Sequence, residues 1–151
     1  MEHGLRWTCL RYANVYGPRQ DPFGEAGVVS IFCQNLQDGI APEIQWDGEQ
    51  TRDFCYVGDC AKANLSALAG GDNQAYNVGT GKGTSINALF AALTRIAGRD
   101  LKARKAPRRP GDVRHSYLDC AKIERDLGWR AGVDLDDGLE QTWQYMIART
   151  Q

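Results

Sequence analysis

This chain has little to offer a metal ion. It carries two histidines and five cysteines in 151 residues. His3 and His115 are far apart, no two of Cys9, Cys33, Cys55, Cys60 and Cys120 form a C-x-x-C pair, and none stands at zinc-finger spacing beside a histidine. No structural metal site is expected, and the odd cysteine count points to reduced, buried thiols. Nowhere do 18 apolar residues follow one another, and the opening MEHGLRW has no apolar stretch of a secretory signal. The expectation is a cytoplasmic protein with no membrane partner. An excess of one charge is missing too: 18 basic residues against 19 acidic ones leave a formal charge of -1. That gives no global field toward nucleic acid, so none is expected as a partner.

What is present suits one globular unit, with 42% hydrophobic and 25% charged residues. A chain of this length hides roughly 70% of its unfolded surface on folding. The one basic concentration, residues 99–109 with Lys102, Arg104, Lys105 and Arg108, reads as a solvated loop or edge strand. Strands are predicted over 5–12, 43–46, 52–57 and 75–78, with a turn at 15–18. A helix is predicted from Val28 to a stop at Gly39, and another over 59–68. Ile86, Leu89, Phe90, Leu93 and Ile96 mark the clearest helical face, with Thr84 or Ser85 as N-cap and Gly98 beyond the end. Two shorter helices follow, one capped by Asp119 and ending at Leu127, the other starting after Asp134. Strands and helices alternate, so the class is α/β.

Six segments, in this order, carry a family resemblance: LRYANVYGPRQ (10–20), GEAGVV (24–29), DGEQTRDF (47–54), YNVGTG (76–81), RPGDVRHS (109–116) and LGW (127–129). Together they resemble the C-terminal part of UDP-sugar 4-epimerases and related nucleotide-sugar dehydratases, within the NAD-dependent epimerases/dehydratases of the extended short-chain dehydrogenase family. The resemblance covers essentially the whole chain. It implies the C-terminal part of a Rossmann-like fold: residual parallel strands plus a small mixed α/β lobe that binds a nucleotide-sugar. Those enzymes also carry a glycine-rich NAD turn and a Tyr-x-x-x-Lys pair, and neither precedes Met1. Residues 1–151 are therefore expected to form a single partial unit, the substrate-binding domain without the NAD-binding one. No catalytic residue is assigned. NAD belongs to the full-length family and is not expected to bind this chain alone.

The run Gly79-Thr80-Gly81-Lys82-Gly83-Thr84 between a strand and a helix superficially has the order of a dinucleotide site. Thr84 stands in place of the third glycine, however, and Asp100 precedes the second strand. These glycines are expected to supply backbone freedom at φ > 0 instead.

A nucleotide-sugar presents two phosphate charges, a ribose diol and a flat base. Arginine suits the phosphates because its fork donates two charge-assisted hydrogen bonds, and the resemblance assigns that role to Arg52 and Arg109. It gives Asn14 a phosphate oxygen, and the first turn of the helix at Val28 and Val29 the same anion through backbone N–H groups. The two valine side chains are expected in the core. Asp112 matches a position that accepts from ribose hydroxyls; a turn-forming aspartate after Pro110-Gly111 is its structural alternative. Backbone groups of Glu43 and Gln45 match the strand that holds the base. Two departures stand out: Trp46 replaces a glycine, where it would crowd or cover the base, and Gly58 replaces an aspartate. Tyr12 corresponds to a residue facing the nicotinamide, and Ser116 to the gate of the sugar pocket.

The resemblance thus implies the UDP-sugar-binding portion of a 4-epimerase-like enzyme, inactive as this isolated chain. The alternatives are a fragment of a nucleotide-sugar dehydratase or decarboxylase, and a free-standing, non-catalytic UDP-binding or self-associating module. UDP or a UDP-sugar is the expected ligand. A homo-oligomer is expected through the sheet edge at 5–12, left bare without the other half of the family's sheet.

Overall fold

Parallel strands need long crossovers, and the alternation of short strands with amphipathic helices supplies them. The computed structural model describes residues 4–24 and 27–149; His3, and Glu25 and Ala26 of the second family-like segment, lie outside these. In chain order the elements are β1 (Thr8–Tyr12), β2 (Asn14–Tyr16), α1 (Val28–Asp38), β3 (Glu43–Gln45), β4 (Thr51–Arg52), β5 (Phe54–Tyr56) and α2 (Val57–Ala69). They continue with β6 (Gln74–Val78), β7 (Thr84–Ser85), α3 (Ile86–Ala97), β8 (Arg104–Ala106), β9 (His115–Ser116), α4 (Ala121–Leu127) and α5 (Leu135–Ala148).

One extended run, residues 8–16, serves two sheets. β1 pairs in parallel with β6, from Thr8 opposite Gln74 to Tyr12 opposite Val78. β2 pairs in parallel with β5, from Asn14 opposite Phe54 to Tyr16 opposite Tyr56. Ala13 is the crossing point: its N–H donates to Val78 O at 2.8 Å, and the N–H of Asn14 donates to Asp53 O at 2.8 Å. The turn expected at 15–18 thus begins later. Tyr16 stays extended because its ring is buried edge-on against Phe54 and Tyr56, at 6.4 and 5.8 Å, and this packing outweighs the local pull of Gly17-Pro18. The strand expected over 52–57 is split at Asp53. β5 joins β2, whereas β4 lies between β7 (antiparallel) and β9 (parallel), and Val57 already opens α2. β3 and β8 form a third parallel pair.

α3 begins as its sequence dictates: Ser85 Oγ accepts from Ala88 N at 3.1 Å, and Gly98 closes the helix in the left-handed region at φ 60. Its apolar face packs with those of α1 and α5 into one core that includes Phe32, Leu36, Leu89, Leu93, Leu139 and Trp143. Each such side chain contributes about 1.5–3 kcal/mol on burial. Phe32 and Phe90 meet edge to face at 5.3 Å. A second core, with Cys55, Cys60, Ala63, Tyr76, Val78, Ile123 and Trp129, lies against α2 and α4. All five cysteines are free thiols, and burial pushes that of Cys33 up to about 12. The expectation of burial fails for Cys9, which is exposed on β1. It lies opposite Ala75 in the register, and among the described residues β1 has no second strand partner.

Candidate functional site

The first turns of α1, the end of β3, β4 and the segment 104–112 surround a cavity of about 560 Å³. Seven of the residues singled out from sequence line it: Asn14, Val28, Glu43, Gln45, Arg52, Arg109 and Asp112. Val29 does not; it is buried in the core, where its side chain was expected. Ser116 is exposed on β9 opposite Arg52 in the register, outside the cavity lining. Tyr12 ends β1, donates to Asn64 Oδ1 at 2.9 Å, and faces a different depression shared with Trp7 and Leu10.

The cavity's electrostatics favour an anion. Arg52, Arg104 and Arg109 face two carboxylates, those of Glu43 and Asp112. Arg104 lies 3.5 Å from Glu43 Oε1. Arg52 donates through Nη1 to Thr51 O and Val113 O, each at 2.8 Å, and its Nη2 stands 3.8 Å from Asp112 Oδ1. Arg109 has no side-chain partner among the described residues, although the N–H of Asp112 donates to its carbonyl at 3.2 Å. α1 opens at Gly27, and no side chain among the described residues caps it. Its first N–H groups, which have no acceptor within the helix, therefore remain available to an anion.

Sequence reasoning passed over several lining residues. Ile31 and Asn35 lie three and seven positions after Val28, so the helical period that marked α1 already placed them on one face. Ile40 is an apolar residue left half-exposed at the rim. Gln50 had no signal beyond its place in a motif. It is buried, donates through Nε2 to Gln45 O at 3.0 Å, and keeps Oε1 without a partner among the described residues. The Gln45 carbonyl, assigned to the base by resemblance, thus already accepts one hydrogen bond.

Trp46 is not among the residues that line the cavity. The position explains the usual glycine, for its φ is 61, a conformation that costs a residue with a Cβ roughly 1–2 kcal/mol. Two guanidiniums lie over the indole ring, Arg108 at 4.3 Å and Arg114 at 4.7 Å from its centroid. Cation–π contacts contribute roughly 0.5–1 kcal/mol each at exposed sites, which offsets most of the strain. Arg114 also grips both oxygens of Asp47, at 2.8 and 2.7 Å, and with the Glu49 N–H holds that carboxyl below the usual range. Gly58, the other departure, sits under the Tyr56 ring, which a Cβ there would approach to 3.0 Å.

The glycine turn after β6 is occupied by the protein's own carboxylate. Asp53, buried, accepts from Thr80 N at 2.9 Å and Thr80 Oγ1 at 2.6 Å through Oδ1, and from Gly81 N at 3.1 Å and Leu118 N at 3.3 Å through Oδ2. Gly81 has the expected positive φ, 73. Gly79 is needed for a different reason: a Cβ there would come within 2.5 Å of Asp53 Oδ2.

Residues 1–79 match the profile of the NAD dependent epimerase/dehydratase family, and the chain belongs to that family. It is 41% identical to the UDP-glucose 4-epimerase of Mycolicibacterium smegmatis over 99% of its own length and 48% of that protein's. The UDP-glucose 4-epimerase of Thermotoga maritima, solved with UDP-glucose, superposes at a TM-score of 0.97 with 49% identity, over 99% of this chain and 48% of that one. The Thermus thermophilus UDP-glucose 4-epimerase, solved with NAD, gives a TM-score of 0.89 with 40% identity, over 97% and 48%. The α/β arrangement is therefore that of a Rossmann-like extended short-chain dehydrogenase. The chain spans about half the length of the relatives it matches.

Proposed function

We propose that residues 1–151 form one unit, the nucleotide-sugar-binding portion of a UDP-sugar 4-epimerase-like enzyme, and that the 560 Å³ cavity takes the nucleoside diphosphate. The observation that carries this reading is convergence. The N-terminus of α1, Asn14, Arg52 and Arg109 face one cavity that Asp112 and β3 also line; among the described residues, no side chain caps α1 and none partners Arg109. Two phosphates need fixed cations and N–H donors together, and this is where the chain provides both. UDP should bind, and Arg109→Ala should weaken it by about 1.5–3 kcal/mol, the worth of a charged hydrogen bond. Arg52→Ala should cost more, because Arg52 also holds Val113. Calorimetry giving equal UDP affinity for wild type and Arg109→Ala would refute the reading.

NAD is assigned here to the whole enzyme and not to this chain alone. The turn that most resembles a dinucleotide cradle has its N–H groups committed to Asp53, and Tyr12 is engaged with Asn64. Within this unit the residues bind and orient the nucleotide; a hydride acceptor, when bound to the whole enzyme, supplies the redox chemistry. For the same reason the isolated unit is proposed to be inactive. Self-association through the outer edge of β1 completes the proposal. That edge has no strand partner among the described residues, and Leu5 and Trp7 beside it are 73% and 43% exposed.

A further inference from the structure

Trp46 occupies a backbone position that glycine would fill without strain, at φ 61. The indole must therefore contribute something that glycine does not. Arg108 and Arg114 both set their guanidiniums over its ring, and these two arginines bracket the Pro110-Gly111 turn that presents Arg109 and Asp112 to the cavity. Arg108 closes the loop on itself by donating to Asp112 O at 2.8 Å. Arg114 fastens its other end to Asp47. The backbone of Trp46 is fixed in turn, its N–H donating to Ala106 O at 2.8 Å across the β3–β8 pair.

We propose that Trp46 is a positioning residue for nucleotide binding: in contact with both Arg108 and Arg114, it pins the 108–114 loop to the end of β3, so that Arg109 and Asp112 stand over the cavity before a ligand arrives. The indole itself touches no ligand. The proposal rests on the reading of the cavity as a nucleoside diphosphate site. Its physical content is pre-organisation: a loop already ordered loses less freedom when the ligand binds.

The test uses Trp46→Gly and Trp46→Phe in the 151-residue chain. Glycine accepts the left-handed backbone, so Trp46→Gly should fold with an unfolding midpoint no lower than its Phe counterpart. In hydrogen exchange without ligand, the amides of 109 and 111–113 should exchange about tenfold faster in Trp46→Gly, with those of α1 and α3 unchanged and Trp46→Phe close to wild type. In calorimetry, UDP should bind about tenfold more weakly to Trp46→Gly, and Trp46→Phe should recover most of the loss. In an Arg109→Ala background the Trp46→Gly effect should shrink to about threefold or less, since the main group to be positioned is gone. Unchanged loop exchange in Trp46→Gly overturns the proposal, as does unchanged UDP affinity when Arg109→Ala weakens binding. If wild type and Arg109→Ala bind UDP alike, the diphosphate reading fails and takes the nucleotide role of Trp46 with it; the exchange arm still decides whether Trp46 holds the loop.

Discussion

Around the cavity, most charged side chains are tethered before any ligand is present. Arg52 is bound to two carbonyls, Arg114 to Asp47, Arg108 to Trp46 and Asp112 O, and only Arg109 is without a partner among the described residues. Along the outer edge of β1 the opposite holds. Backbone groups there have no strand beside them among the described residues, and Leu5, Trp7 and Tyr12 are exposed. The same extended run borders both regions, so sequence composition alone does not make the difference. The cavity side is crossed by side chains that reach it from distant parts of the chain, whereas among the described residues β1 pairs with β6 alone. A binding surface of fixed charges is built from such long-range ties. A surface made for another polypeptide can leave its backbone unpaired.

The largest effect should come from cutting the tie between the two regions. Asp53 lies at the break between β4 and β5, and its carboxylate holds the glycine turn after β6 and Leu118. Asp53→Ala removes a buried carboxylate that accepts four hydrogen bonds from part-buried donors and should destabilise the fold by about 3–5 kcal/mol. Urea denaturation showing a loss below about 1 kcal/mol would mean that the turn holds its shape unaided.

A smaller change should expose the β1 side. If copies of this chain meet along that edge, Cys9→Asp places a carboxylate at the contact and should weaken the self-association about a hundredfold. Because Cys9 is exposed in the single chain, the variant should remain folded. A wild-type chain that light scattering reports as monomeric at high micromolar concentration, with a cooperative thermal transition, would remove the contrast between the two regions.

The smallest effect is a pH dependence in the second core. Burial pushes the Asp59 carboxyl up, but the N–H of Val133, the Lys62 ammonium and the N–H of Gly132 outweigh it, and the net shift is downward. A lowered folded-state value means that the stabilisation is complete above the unfolded value of about 3.9 and is lost as the pH falls through the folded one. Wild type should exceed Asp59→Asn by about 1–2 kcal/mol at pH 7, and the gap should close below about pH 4. A gap that stays constant down to pH 2 would assign the effect to shape and not to charge.

The sequence was most legible where one physical rule acted alone. The face, N-cap and C-cap of α3 follow from period and chemistry, and α1 with its glycine stop does too. Family-like segments also marked five residues, Asn14, Val28, Arg52, Arg109 and Asp112, that the fold brings to one cavity, and the resemblance added Glu43 and Gln45. Local pattern failed where tertiary partners decided. Nothing in Val15-Tyr16-Gly17 announces that Tyr16 is wedged between two rings, nor does the run 52–57 show that Asp53 divides it between two sheets. Trp46 shows the same limit: its place in the sequence suggests a bulky side chain beside the base site, and only the fold brings the Arg108 and Arg114 guanidiniums over its ring.

The switch of partners at Ala13 also sets an order of events in time. Residues 14–16 meet 54–56, but residues 8–12 must wait for 74–78, which are made later and close a longer loop. The extra closure cost is only about 0.4 kcal/mol, so the delay during synthesis comes mainly from the ribosome, which adds on the order of 5–20 residues per second. The half of the run that borders the cavity can therefore zip up while β1 is still a free tail. Pulse-labelled hydrogen exchange on released chains that end before residue 74 should find the amides of 14–16 protected and those of 8–12 open.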